Sequence, residues 1–547
     1  MAWWNVLGCL AAAAGMSLAS RSLIHYFQLE SYQFPGFFRT LRRNARRAML
    51  PGALLTLGLA ACVGIALMVT WPRWLKALLT GALLLASGGL MGRFFRDAKS
   101  KKPLVLTPRV KRLYAVMTFF HIALLLLLGA GIQCGLNMPG AAASLPGNIT
   151  WVCLALSVLY PCLLPLWTAL SGLIAWPIEK LISEMYFRDA QRILRQRPDL
   201  IKIGITGSYG KTSVKFILGT LLSEKYQTLV TPSSFNTPMG VTKIIRTKLM
   251  PAHQVFVAEM GARHVGDIKE MCRLVHPDHG VLTSIGPQHL ETFHSIEHIK
   301  RTKYELMDAV PQGGCCFFPD DGGICRALYE QTAKEKRLCA VQPTPEADVW
   351  AEDIRVSPQG SSFLLCTREE KIPCETKLLG EHNIQNILLA ATVCLRLQLT
   401  LRQIARGISR LSPVDHRLQL IPSTGVTIID DAFNSNPRGA EAALDVIRQF
   451  PGRRIIITPG MVELGDEETA FNRAFGQKMA SAVDMAILVG RKHTQPIHDG
   501  LREAGFPEDH IHPVANLEEA AALLRQLGRP GDVALFENDL PDNYSES

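Results

Sequence analysis

The chain has 547 residues, a net charge of +10, 48% apolar residues and only 19% charged ones, which gives room for three or four domains and places part of the chain in lipid. Its thirteen cysteines make no framework: five (Cys9, Cys62, Cys134, Cys153, Cys162) sit in apolar stretches, and Cys315 and Cys316 are adjacent, so a reduced cytosolic compartment without a zinc site is expected. The positive charge does not indicate nucleic acid, because the cations cluster between apolar stretches.

Five apolar stretches open the chain: Trp3–Ala19, Pro51–Trp71, Trp74–Leu90, Tyr114–Gly135 and Ile149–Ala175. Several approach the ~20 residues that cross a bilayer, which predicts an α-helical transmembrane bundle over 1–175 with about five spans, the first and third being short. The first lacks the basic start and small-residue cleavage site of a signal peptide. Arg39, Arg42, Arg43, Arg46 and Arg47 follow the first span; Arg93, Arg96, Lys99, Lys101, Lys102, Arg109, Lys111 and Arg112 follow the third; Leu136–Asn148 carries no charge. The positive-inside rule then puts the N-terminus outside and the rest of the chain in the cytoplasm, as expected of a multi-pass protein of the cell membrane. The basic loops either only fix topology or also hold a lipid diphosphate headgroup. Trp176–Arg197 reads as an amphipathic surface helix (176–198), with Ile178, Leu181, Ile182, Met185 and Leu194 on one side and Arg188, Arg192, Arg195 and Arg197 among its polar positions.

A central domain is expected over 199–411. The alternating Ile201, Ile203 and Ile205 predict a strand, and Val214–Leu218 a helix. Between them Gly207, Ser208 and Gly210 precede Lys211, Thr212 and Ser213. Strand, glycine loop and helix start form a phosphate cradle: backbone N–H groups and the positive helix end face the oxygens. Lys211 would reach the β- and γ-phosphates and Thr212 would sit on Mg²⁺. An ordinary strand-to-helix turn would not need a lysine and a hydroxyl directly after the last glycine, so a nucleoside triphosphate is the expected ligand. Downstream, Thr231–Gly240 is a polar loop and Val255–Ala258 a strand ending in Glu259, where an acid can hold Mg²⁺. His289 follows another strand end. Lys300, Arg301 and Lys303 lie on a helix, Ile296–Met307. Asn383 and Asn386 are three apart on one helical face, placed either to cap the helix or to bond a base edge.

A second α/β domain is expected over 412–547, with Arg417 near its start, a strand Val426–Ile429 running into Asp430 and Asp431, and strands alternating with helices in a small Rossmann-like sheet.

Read as motifs, GITGSYGKT, EMGARHVGDI, HLETF, RTKYELM, GEHNIQN, HRL, DDAFNSNP and GMVELG resemble the Mur ligases, ATP-dependent enzymes that add amino acids to peptidoglycan precursors, and most of all their D-alanyl-D-alanine-adding branch. The resemblance covers Ile201 to about Gly531 in family order. It implies a P-loop central domain with a Rossmann-like C-terminal domain, ATP with two Mg²⁺ ions, and metal roles for Thr212, Glu259, His289 and a carbamylated Lys303. It also implies nucleotide contacts from Asn383, Asn386 and Asp431, the last to the ribose, and an Arg417 that approaches the γ-phosphate. The reaction implied passes through an acyl phosphate to an amide, with an amino acid or short peptide as amine donor and a carboxylate acceptor. Three departures stand out. Ala432 and Phe433 replace a serine and a tyrosine; the last strand reads Phe536-Glu-Asn-Asp-Leu-Pro-Asp542 where that branch has a basic Lys-Gly-Ser-Arg; and a membrane region replaces the UDP-binding domain. The first implies different contacts at that point, the second a different amine, and the third a lipid-linked muropeptide held beside membrane lipid. A tethered D-alanyl-D-alanine-adding ligase, an amino-acid polymer ligase and a non-catalytic ATP-binding sensor are the competing expectations.

Overall fold

The computed structural model describes residues 3–30, 32–95, 103–136, 153, 155–233, 235–421, 425–433 and 435–539. Arg96, Lys99, Lys101 and Lys102, the uncharged residues 137–148, the start of the fifth expected span (149–152), Asn434 and Asp542 lie outside the described residues. The chain divides into two compact units, Met1–Ser183 and Glu184–Ser547.

In the first unit, Ala45–Ile65, Arg73–Phe94, Pro108–Gly131 and Ala155–Arg195 are long and apolar enough to cross a bilayer. A fifth results if Trp3–Ala19 and Arg21–Leu29, which meet at a 44° bend, count as one span. The helix Trp3–Ala19 packs on Arg73–Phe94 through glycines seven apart. A Cβ on Gly15 would stand 2.1 Å from the Leu84 carbonyl oxygen, and one on Gly88 would stand 2.1 Å from that of Gly15. With no Cβ at these positions the two backbones approach closely, the packing that small residues at helix interfaces allow.

The expected surface helix is instead the last part of one helix, Leu164–Arg195. Ile178, Leu181 and Met185 are exposed, whereas Phe187, Ala190 and Leu194 belong to the core of the second unit. Asp189 there pairs with Arg246 at 2.7 Å, and the Arg246 guanidinium lies 4.2 Å over the Tyr186 ring.

The second unit contains two sheets. The first has nine strands: β1 (Ile201–Thr206), β2 (Thr228–Val230), β3 (Val255–Glu259), β4 (His279–Leu282), β5 (Cys315–Pro319), β6 (Lys336–Ala340), β7 (Val349–Ser357), β8 (Gly360–Cys366) and β9 (Lys371–Thr376). Their order is β2-β3-β1-β4-β5-β6-β7-β8-β9, parallel through β7 and antiparallel beyond it. Alternation sends Val255 and Val257 into the core beneath the helices Lys211–Leu222 and Glu381–Arg396, and Phe256 and Ala258 into the core on the other face.

The second sheet has six strands: β10 (Gln419–Ile421), β11 (Thr427–Asp431), β12 (Arg454–Thr458), β13 (Met485–Val489), β14 (Ile511–Val514) and β15 (Val533–Glu537), ordered β10-β11-β15-β12-β13-β14. In the first sheet β1 lies between β3 and β4, so the chain crosses to either side of it. In open α/β sheets such a reversal leaves a crevice at the carboxyl ends of the strands.

Candidate active site

The loop after β1 fills that crevice. Gly210 starts the helix Lys211–Leu222 with φ 78°, a left-handed conformation that favours glycine. Gly207 is required by space, since a Cβ there would stand 2.1 Å from the Thr283 hydroxyl. The segment after β4 fastens the loop: Ser208 N–H donates to the Ser284 carbonyl (2.8 Å), Tyr209 N–H to the Ser284 hydroxyl (2.8 Å), and the Tyr209 hydroxyl to the Pro287 carbonyl (2.7 Å). The Thr283 hydroxyl donates to the Tyr209 carbonyl. Lys211 folds back so that Nζ donates to the Gly207 and Ser208 carbonyls at 2.6 and 2.8 Å. Burial lowers its pKa to about 8.

Glu259, 1% exposed at the end of β3, is the hub. Its carboxylate accepts from the Thr212 hydroxyl (3.1 and 3.2 Å), Asn236 Nδ2 (3.0 Å) and Lys215 Nζ (3.0 Å). Burial pushes the carboxyl up, but Lys215 and Lys211 outweigh it and hold the group below its ordinary value. Lys215 also donates to the Ser233 carbonyl at 2.5 Å, tying the Thr231–Gly240 loop to the phosphate-loop helix. The sequence reading passed over Lys215. Its signal was position, one helical turn after Lys211 and on the same face.

Lys303 is 2% exposed, and among the described residues its Nζ has no hydrogen-bond or ion-pair partner; the Phe293 ring lies 5.9 Å away. Burial, and then the charge of Lys211, hold its pKa well below the ordinary lysine value. His289 Nδ1 meets Glu463 Oε2 at 2.6 Å, which joins HLETF to GMVELG. Burial lowers the His289 pKa in spite of that carboxylate.

Asn383, Ser213 and Arg417 line one cleft with Phe216, Leu378 and Val414. Asn386 Nδ2 donates to Asn383 Oδ1 (3.4 Å), and Asn386 Oδ1 stands 2.9 Å from where a Gly210 Cβ would be. The Arg417 guanidinium stacks 4.3 Å over the Phe433 ring. Asp431 Oδ1 accepts the Leu418 N–H (3.2 Å), and burial followed by the nearby Glu537 raises its pKa to about 8.

The acidic end of β15 differs from its expected role. Glu537 turns inward, 1% exposed, and accepts from the Thr458 hydroxyl (2.8 Å) and the Ser435 hydroxyl. Asn538 accepts the Ser435 N–H at 3.0 Å. Both side chains lock strand ends together instead of facing an incoming amine.

A metal site follows in part from this geometry. Thr212 and Glu259 converge beside the phosphate loop, a donor pair suited to Mg²⁺ that phosphate oxygens and water would complete. Among the described residues no three His, Cys, Asp or Glu side chains cluster to hold an ion by themselves.

The family pattern "Mur ligase middle domain" matches residues 205–394, and "Mur ligase, glutamate ligase domain" matches 416–537. The UDP-N-acetylmuramoyl-tripeptide–D-alanyl-D-alanine ligase of Mycobacterium bovis is 31% identical over 358 residues, 61% of this chain and 69% of its own length. The enzyme of that name from Escherichia coli is 28% identical over 313 residues, 57% of this chain and 69% of its own. MurF from Acinetobacter baumannii superposes with a TM-score of 0.60 at 25% identity, over 66% of this chain and 78% of its own. MurF from Thermotoga maritima, solved with ADP, shares the fold at a TM-score of 0.59 and 23% identity, over 65% and 80%. With its phosphate loop, acidic strand end and buried lysine in one crevice, the chain belongs to the Mur ligase family of ATP-dependent, amide-bond-forming ligases.

Proposed function

We propose that this chain is a membrane-embedded ligase of cell-envelope precursor synthesis that joins an amine to a lipid-linked carboxylate acceptor, with its ligase domains in the cytoplasm. Lys303 carries the catalytic part of this reading: a buried amine without a partner among the described residues, held toward its neutral form, is the species that takes up CO₂ as a carbamate. Mg²⁺, when bound, offsets phosphate charge; Thr212 and Glu259 would hold one ion, and His289 with carbamylated Lys303 a second. Glu463 on Nδ1 of His289 leaves Nε2 as the ligating nitrogen.

Lys211 exchanges its two loop carbonyls for phosphate oxygens of ATP, while the Gly207–Gly210 loop and the helix N-terminus donate N–H groups to them. Asn383 and Asn386 meet the base, Asp431 the ribose, and Arg417 the γ-phosphate as charge develops there. The acceptor carboxylate attacks the γ-phosphorus and forms an acyl phosphate with loss of ADP. The amine nitrogen then attacks the acyl carbon, phosphate leaves, and the amine proton passes to solvent.

The lipid-linked acceptor is supported by the membrane-length helices that precede the ligase. The relatives are named for a UDP-linked tripeptide and D-alanyl-D-alanine, which makes that pair the second reading. Full-length protein in detergent, given ATP and mixed amino acids, is offered a lipid-linked muropeptide and its UDP-linked counterpart in parallel. Faster consumption of the lipid form is expected; equal or faster consumption of the UDP form overturns the lipid-acceptor reading.

A further inference from the structure

The first unit has a cleft that the ligase chemistry leaves unexplained. Phe27, Tyr32, Phe34 and Trp176 wall it, and Arg109 lines it beside them. The Arg109 guanidinium stacks 3.9 Å over the Tyr32 ring, and among the described residues it donates no hydrogen bond. Its nearest carboxylate oxygen, on Glu179, is 3.7 Å away. That carboxylate is already taken by Arg112, which grips both oxygens at 2.6 and 2.8 Å. Among the described residues, both guanidinium groups thus face the one carboxylate of Glu179.

The surroundings are prepared in advance. Gln28 clamps Val105 through its N–H and carbonyl (3.0 and 2.9 Å), fixing the segment that leads to Arg109. Thr107 accepts the Val110 N–H (3.3 Å), so Arg109 stands in the first turn of the helix Pro108–Leu136, near its positive end. Gly172 is required for the wall, because a Cβ there would stand 2.9 Å from the Phe27 ring. A guanidinium fork beside a helix start, with only a long ion pair to Glu179 and no hydrogen bond donated among the described residues, suits phosphate oxygens, and the aromatic walls suit an apolar chain.

We propose that this cleft binds the phosphate headgroup of a membrane lipid, with the Arg109 fork on the phosphate oxygens and the aromatic walls around the first carbons of the chain. The inference rests on the reading of this unit as membrane-embedded, and it supplies an anchor for the lipid-linked acceptor. The test uses the full chain in phosphatidylcholine nanodiscs and native mass spectrometry with three probes: farnesyl phosphate, farnesol and inorganic phosphate. Farnesyl phosphate is expected to bind saturably at one site, and Arg109→Gln is expected to weaken it about tenfold or more. Arg109→Lys should retain part of the affinity, since it keeps the charge and loses the fork; it replaces the glutamine variant as the deciding case if that one melts early. Wild-type affinity in the deciding variant overturns the proposal. Displacement by inorganic phosphate reassigns the cleft to free phosphate, and equal binding of farnesol reduces it to apolar partition; either result overturns the lipid-headgroup site. Because the readout needs no turnover, a chain that binds farnesyl phosphate but consumes only the UDP-linked acceptor keeps this site and loses the proposed function.

Discussion

The two sheets of the ligase each end a parallel strand in a buried glutamate, and the two acids are shifted in opposite directions. Glu259, at the end of β3, faces the ammonium of Lys215 at 3.0 Å, with Lys211 nearby, and is kept below the ordinary carboxyl pKa. Glu537, at the end of β15, is just as buried but among the described residues has no cation partner; it accepts from the hydroxyls of Thr458 and Ser435, stands near Asp431, and burial raises it to about 7. Residue type, strand position and burial are shared, so the partner cation decides. A buried carboxylate with a cation is ready for a metal or phosphate chemistry; one with only hydroxyls serves as a lock between strands.

The largest effect is expected from removing the charge that serves the nucleotide. Lys211→Ala should abolish ATP hydrolysis while membrane insertion is unchanged, as read by ADP release and by flotation with vesicles; retained ATPase activity removes the loop from the mechanism. Lys303→Ala should be nearly inactive and regain part of its rate with short carboxylic acids, which replace the missing anion. Full activity without such acids contradicts the carbamate. A ¹³C-bicarbonate resonance present in wild type and lost in the variant checks the same point independently.

Lys215→Met makes the first glutamate resemble the second by stripping its cation. An uncompensated buried charge costs about 3–5 kcal/mol, so a clear drop in melting temperature is expected along with weaker Mg²⁺-dependent stabilisation. A variant as stable as wild type would mean that Asn236 and Thr212 alone suffice.

The smallest effect concerns Glu537. Its folded-state pKa, about 7, lies above the ordinary 4.5, so the folded state holds a proton that the unfolded state releases between those values. Stability from this residue is therefore present below about pH 4.5 and lost as pH rises through about 7. Asp431, raised to about 8, adds a fall of the same sign. Glu537→Gln should flatten the decline in melting temperature across that window without removing it; an unchanged slope would show that Glu537 is ionised in the folded protein.

Much of the candidate site was legible in the sense that its residues stand in local patterns. Lys211 and Thr212 follow their glycines directly, Glu259 ends an apolar strand, and His289 and Lys303 stand in contiguous motifs. Partnerships made by the fold were not legible. Lys215 reaches Glu259 across 44 residues of sequence, and Glu463 reaches His289 from the other sheet. At the end of β15 sequence shows the charge of Glu537 but not that this side chain turns inward to a threonine. The Trp176–Arg197 stretch holds a second face that sequence did not separate. Its exposed apolar residues have a helical period, yet Phe187, Ala190 and Leu194 set a second apolar face that fills the ligase core. In the first unit the apolar lengths showed four of the membrane-length helices, while the 44° bend after Ala19 depends on packing.

The contrast between the two glutamates is tested most directly by calorimetric titration of MgATP into wild type, Glu259→Gln and Glu537→Gln. The Glu259 variant should lose affinity by roughly a hundredfold, the scale of a charged contact of ~3 kcal/mol, while the Glu537 variant binds as wild type does. Equal losses in the two variants, or undiminished binding by Glu259→Gln, would contradict the assignment of the nucleotide site to the carboxyl edge of the first sheet.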